Sequence, residues 1–222
     1  MATNKPNGTP KLYSHPRSGT NWLLALLEQA FRGCVKYAPV VTGHWSQRVK
    51  VPSSPQSEEF WGGHQFCQNA RKHLRIYLYR DGRDVALSLW RTKAFQHETM
   101  RRLSFSEFLR TPLDWLETPG LKAVPRWTII EHWRRHLDSW QGAPDTLFVR
   151  YEDLLNDAPS ELALIAEFAG IELLPVVQLR DAAGPFSSGD HRAAKWRGVF
   201  TEDELDYFFT VVPSDYWGLW NE

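Results

Sequence analysis

Three short β-prone runs constrain the fold most: KLYSH (Lys11–His15), LRIYLYR (Leu74–Arg80) and DTLFVRY (Asp145–Tyr151). Each is followed by a helical pattern, and after the first two the helix begins almost at once. Alternating strands and helices imply crossover connections, and hence an α/β fold with a mainly parallel central sheet flanked by helices. In such sheets ligands collect beyond the carboxyl ends of the strands. Functional residues are therefore expected at the strand-to-helix turns.

The helices carry their own signals. In PRWTIIEHWRRHLDSWQG, Ile130, Trp133, Leu137 and Trp140 recur at helical spacing and predict a core stripe. Glu131–Arg135 and Arg134–Asp138 are expected as (i, i+4) pairs on its polar side, worth roughly 0.3 kcal/mol each. Asp81 suits an N-cap and Asp84 the positive end of the same helix. DAPSELALIAEFAGI places Pro159 in a first turn, a stripe of Leu162, Ile165 and Phe168, and Gly170 as a stop. Thr201 and Glu204 have capping-box spacing. Residues 40–68 and 111–125 read as irregular. The expected organisation is a flexible tail over 1–10 and a single domain over 11–222.

Bulk properties exclude some functions. Lys+Arg and Asp+Glu both number 26, so no overall field draws the chain to nucleic acid or a membrane, and any anion site must be local. No apolar run approaches the ~20 residues of a membrane span. The polar start MATNKPNGTPK has no secretory apolar region. Cys34 and Cys67 lack metal-type spacing and suit a reduced setting, so a cytoplasmic protein is expected.

The turn in YSHPRSGTNWLLALL has the features of an anion site. Ser18, Gly19, Thr20 and Asn21 fall at or inside the first turn of a helix, where free N–H groups and the macrodipole favour negative charge. Gly19 permits close backbone approach, and Arg17 adds a permanent charge with a donor fork suited to phosphate or sulfate. A purely structural reading has Ser18 capping a core helix and Arg17 in solvent. The turn is not a standard P-loop: no Gly precedes Gly19 at the required spacing and no Lys stands before Thr20. That disfavours a magnesium–nucleoside triphosphate site.

The second turn extends the pattern. HPRSGTNW, YRDGRDVALS, FVRYEDLL and KWRGVFTEDELDYF occur in that order across most of the chain. Together they resemble the sulfotransferases that use 3′-phosphoadenosine 5′-phosphosulfate (PAPS), the cytosolic type and its bacterial relatives, which have a P-loop-like fold. The resemblance implies that Ser18, Gly19, Thr20 and Asn21 cradle the 5′-phosphosulfate, with Trp22 against the adenine. It assigns Arg80 and Ser88 to the 3′-phosphate, Tyr151 to the nucleotide near the adenine, and Arg17 to the bridging oxygen. PAP would be the product, and no metal is needed.

A hydroxyl acceptor needs a base, and His64 in FWGGHQF matches the family's position, with His15 and His44 in reserve. A histidine can accept a proton near neutral pH. The family's Arg-Lys-Gly cluster is absent before Trp196; Arg192 is assigned to the 3′-phosphate and Phe186 to adenine stacking. Trp45, Phe60, Trp61, Phe66 and Trp115 are candidate pocket walls, favouring an aromatic or apolar small-molecule alcohol. The alternatives are a nucleotide-dependent kinase of related fold and a nucleotide-binding domain without catalysis.

Overall fold

The computed structural model describes residues 10–31, 60–70, 74–92, 98–112, 127–173, 192–214 and 216. The expected tail (apart from Pro10), His44, Trp45, Trp115 and Phe186 lie outside the described residues. Strands β1 (Lys11–Ser14), β2 (Trp61–Gly63), β3 (Arg75–Tyr79) and β4 (Thr146–Arg150) form one sheet in the order β2-β1-β3-β4. Every pairing is parallel. The three strands read from the sequence are present. β2 lies inside the stretch expected to be irregular; its three residues, two of them Gly, are too short for a period-2 pattern to reveal.

The strand pleat sorts side chains into two cores. Leu12, Ile76 and Leu78 pack with Leu23, Leu26 and Leu27 of α1 (Thr20–Ala30) and Leu162 and Ile165 of α7 (Ala158–Ala169). Tyr13 and Tyr77 face the other way, toward α2 (Gly82–Arg91), α5 (Ile129–Trp140) and α8 (Glu202–Val211). Helices α3 (Glu98–Arg101) and α4 (Phe105–Arg110) join that second layer, while α6 (Tyr151–Asn156) follows β4 directly. The product is a sheet covered on both faces, as parallel sheets require.

On α5 the expected stripe is buried, with Trp133 and Trp140 essentially inaccessible. Truncating either to Ala would cost about 3–5 kcal/mol. Its polar face differs from expectation. Glu131 turns back to cap Thr128, and Arg135 lies over Trp127, because a capping box and a cation–π contact outcompete an exposed pair. Arg134–Asp138 does form, at 3.8 Å. Asp81 caps α2 by accepting from the Arg83 N–H, Gly170 ends α7 in the left-handed region, and Thr201 and Glu204 form the capping box of α8.

Candidate active site

Strand register sets the site. Ser14 of β1 pairs with Leu78 of β3, and Tyr79 pairs with Arg150 of β4, so the turns after all three strands open on one edge of the sheet. The first turn is closed by a 2.6 Å hydrogen bond between the Ser14 and Thr20 hydroxyls and by the Ser18 N–H donating to the His15 carbonyl. Arg17 and Gly19 both take positive φ, 70° and 96°. A Cβ on Gly19 would fall 2.4 Å from Cδ2 of Tyr151, so only glycine lets that ring close over the turn. Gly19 is the N-cap of α1, and no side chain caps the helix. Ser18 therefore does not cap; its Oγ is buried without a hydrogen-bond partner.

The second turn brings Arg80 to the first. Its Nη1 donates to the Arg17 carbonyl at 3.4 Å and its Nη2 to Asp84 Oδ2 at 3.3 Å. Its Cζ sits 4.2 Å from the Tyr151 ring centroid, and its Nε is buried without a partner. Arg17 Nε donates to Ser88 Oγ at 3.0 Å. Burial, then repulsion from Arg80, pulls the Arg17 guanidinium down to about 10. Burial pushes the Asp84 carboxyl up, against the pull of Arg80. Trp133, besides filling the core, donates its indole N–H to the Arg80 carbonyl at 3.2 Å.

The C-terminal segment is tied to this turn. Asp84 Oδ1 accepts from the Trp196 N–H at 3.1 Å, and Arg83 stacks on the Trp196 ring with Cζ 3.6 Å from its centroid. The Arg192 carbonyl accepts from Arg80 Nη2 at 3.5 Å, while Arg192 as a whole is exposed.

His64 follows β2 immediately. Its Nδ1 lies 2.7 Å from the Ser14 carbonyl and 3.3 Å from the Ser14 hydroxyl. A carbonyl only accepts, so Nδ1 bears a proton, and the nitrogen that can take or give up a second proton is Nε2. The same strand end that launches the Arg17 turn thus fixes which nitrogen of the histidine holds this proton.

Residues 12–182 match the sulfotransferase domain family. The chain belongs to the sulfotransferase family. The matched span takes in both arginine turns and His64, and ends before Phe186 and Arg192. Cytosolic sulfotransferase 7 of Arabidopsis thaliana is 23% identical over 186 residues, covering 70% of this chain. Those residues make up 54% of the plant protein, so this chain spans about half of its relative's length. Mouse sulfotransferase SULT7A1, crystallised with PAP, superposes with a TM-score of 0.57 at 18% identity, over 91% of this chain and 83% of the mouse one. Retinol dehydratase, in complex with androsterone and inactive cofactor PAP, gives 0.55 at 18% identity, over 94% of this chain and 81% of the other.

In this sulfotransferase-family chain, most sequence-selected residues converge. Gly19, Arg17, Arg80, Ser88 and Tyr151 form one contact network, with Ser18 between Arg17 and Gly19 in the same turn, and Trp22 meets the Tyr151 ring edge-on at 5.6 Å. Thr20 bonds Ser14, and Asn21 is half-buried in the first turn of α1. His15 is committed elsewhere, with Nδ1 bonded to the Pro16 carbonyl and Nε2 to His132. Phe60 joins the core beside Phe31, so it is not a free pocket wall. Phe66 packs against Trp127, His132 and His136. Tyr77, His132 and His136 join the site through contacts between distant segments, and Asp84 through its bonds to Arg80 and Trp196. The only sequence signal for the two histidines was their (i, i+4) spacing beside the apolar stripe of α5.

Proposed function

We propose that this chain is a PAPS-dependent sulfotransferase that transfers the sulfuryl group to a hydroxyl of a small apolar or aromatic acceptor. One observation carries the reading: a buried arginine, Arg80, and a partly buried one, Arg17, from adjacent strand ends repel each other beside a buried serine hydroxyl that has no partner. Positive charges held this close favour a ligand with anionic groups at two places. Ser18 Oγ and Arg80 Nε supply unused donors for it, and Gly19 leaves the backbone open to close approach. The PAP found in the mouse sulfotransferase and in retinol dehydratase fits the same demand.

The donor supplies an activated sulfuryl group; this chain's residues hold and polarise it. Ser18 and the first N–H groups of α1 would bind the 5′ end, and Arg80 and Ser88 the 3′-phosphate. His64 Nε2 accepts the acceptor's proton as its oxygen bonds to sulfur. Arg17 stabilises the bridging oxygen, which keeps the electron pair of the broken S–O bond. Positioning and electrostatics carry the step, as in phosphoryl transfer. Retinol dehydratase, crystallised with androsterone, provides the precedent for an apolar alcohol, and the cytosolic relative supports a cytoplasmic setting.

The test is release of PAP from PAPS in the presence of 2-naphthol. Acceptor-dependent release that is lost in His64→Ala, with PAP binding intact, supports the proposal. Turnover of magnesium–ATP but not PAPS would indicate the kinase alternative. PAP binding without transfer across a panel of alcohols and phenols would indicate an inactive nucleotide-binding domain.

A further inference from the structure

Three histidines beside the site are almost fully buried, and their bonding pattern is fixed. The Pro16 carbonyl can only accept, so His15 Nδ1 donates to it at 2.8 Å. His15 Nε2 is then the acceptor for His132 Nδ1–H, 2.9 Å away. His136 Nε2–H donates to the His64 carbonyl at 3.3 Å, which leaves His136 Nδ1 to accept the Tyr77 hydroxyl at 2.8 Å. Burial holds all three neutral: His132 is pulled down to about 3, and His15 and His136 well below their ordinary value, with further lowering from their neighbours.

The cluster touches both halves of the site. His132 and His136 stand one turn apart on α5, which the core anchors through Trp133 and Trp140. Through His15, α5 reaches the peptide carbonyl of Pro16, next to Arg17. Through His136 it reaches the main chain of His64 itself. Phe66 meets the His132 and His136 rings at centroid distances of 5.5 and 5.1 Å, and His136 stacks on Tyr77 at 5.7 Å. Buried imidazoles cost desolvation that apolar side chains avoid, so packing alone does not account for them. Directional hydrogen bonds do. No group of three or more His, Cys, Asp or Glu among the described residues is arranged to hold a metal ion.

We propose that His15, His132 and His136 are positioning residues: a neutral imidazole strut from α5 that fixes His64 relative to the turn bearing Arg17. This rests on the assignment of His64 and Arg17 made above. Misplacement of a reacting group by about 1 Å can cost on the order of a hundredfold in rate, so the strut should act on kcat more than on nucleotide affinity.

The test compares His136→Phe, which keeps an aromatic ring but removes the donor, with His136→Gln, which returns an N–H near the Nε2 position. Rates are measured with PAPS and 2-naphthol, and PAP affinity by calorimetry. His136→Phe should lower kcat about tenfold to a hundredfold while PAP affinity stays within about twofold, and His136→Gln should recover most of the rate. Long-range 1H–15N spectra of the wild-type protein provide a readout independent of acceptor and of mutant folding. They should show Nδ1–H tautomers for His15 and His132 and an Nε2–H tautomer for His136, unchanged between about pH 6 and 8. The strut is overturned if kcat and PAP affinity fall together, if the Gln variant is no better than Phe, or if a tautomer is reversed. A wild-type protein that neither binds PAP nor releases it from PAPS overturns the functional reading itself and the positioning role with it.

Discussion

The guanidinium of Arg80 lies over the ring of Tyr151, 4.2 Å from its centroid, and the same ring closes on Gly19. One aromatic side chain thus joins the turns that follow β1, β3 and β4. Gly19→Ala would require a non-glycine residue at φ 96° and would push a methyl into that ring. The expected loss is about 2–4 kcal/mol of stability, from left-handed strain and overpacking together. Urea unfolding measures it, and PAP affinity should fall as well. A variant as stable as wild type would mean that the ring does not pack there.

Arg17→Ala separates binding from chemistry. The side chain is bonded to Ser88 and repelled by Arg80, so its removal should leave the fold intact. PAP affinity should fall by about tenfold or less, whereas kcat should fall about a hundredfold to a thousandfold, the scale for removing preorganised charge at a reacting oxygen. Steady-state kinetics alongside calorimetry decide this. Unchanged turnover would remove Arg17 from the mechanism.

Stability should fall as the solution is acidified below about pH 6.5. The folded protein keeps His15, His132 and His136 neutral, with His132 down to about 3, while the unfolded chain takes up protons at ordinary histidine values. The unfolded state therefore binds more protons, and stability drops as pH falls, by about 1.4 kcal/mol per pH unit for each such histidine. Asp84 and Glu152, pushed up by burial, work in the opposite sense, since the folded state takes up their protons first. Their effect sets in as pH falls through their raised folded values and is complete at the ordinary carboxylate range of the unfolded chain. Thermal melts between pH 7.5 and 5.5 should show a falling midpoint, and a flat or rising one would contradict neutral buried imidazoles.

Features encoded locally were legible in the sequence. The strand-to-helix turns at Arg17 and Arg80 carry their chemistry in contiguous residues, and Asp81, Gly170 and Thr201 carry their caps. Contacts between distant segments were not legible. Nothing near His15 announces that its partner is His132, 117 positions away. Nothing in α5 marks Trp133 as a donor to the Arg80 carbonyl. β2 was missed because three residues paired on one side of β1 leave no periodicity. The Arg17–Ser88 bond was likewise invisible, since the family resemblance gives each residue to a different part of the nucleotide.

The most direct measurement is thermal unfolding with 3′,5′-phosphoadenosine (PAP), 5′-AMP or ATP, in the wild type and in Arg80→Ala. At 100-fold excess over its dissociation constant, a ligand adds about 2.7 kcal/mol, or roughly 5–10 °C for a chain of this size. PAP should give that shift at concentrations where 5′-AMP and ATP give little, and Arg80→Ala should erase the difference. Equal shifts with 5′-AMP or ATP, or a PAP preference that survives the loss of Arg80, would contradict a site built from two arginine turns for one nucleotide that carries a phosphate at both its 3′ and 5′ ends.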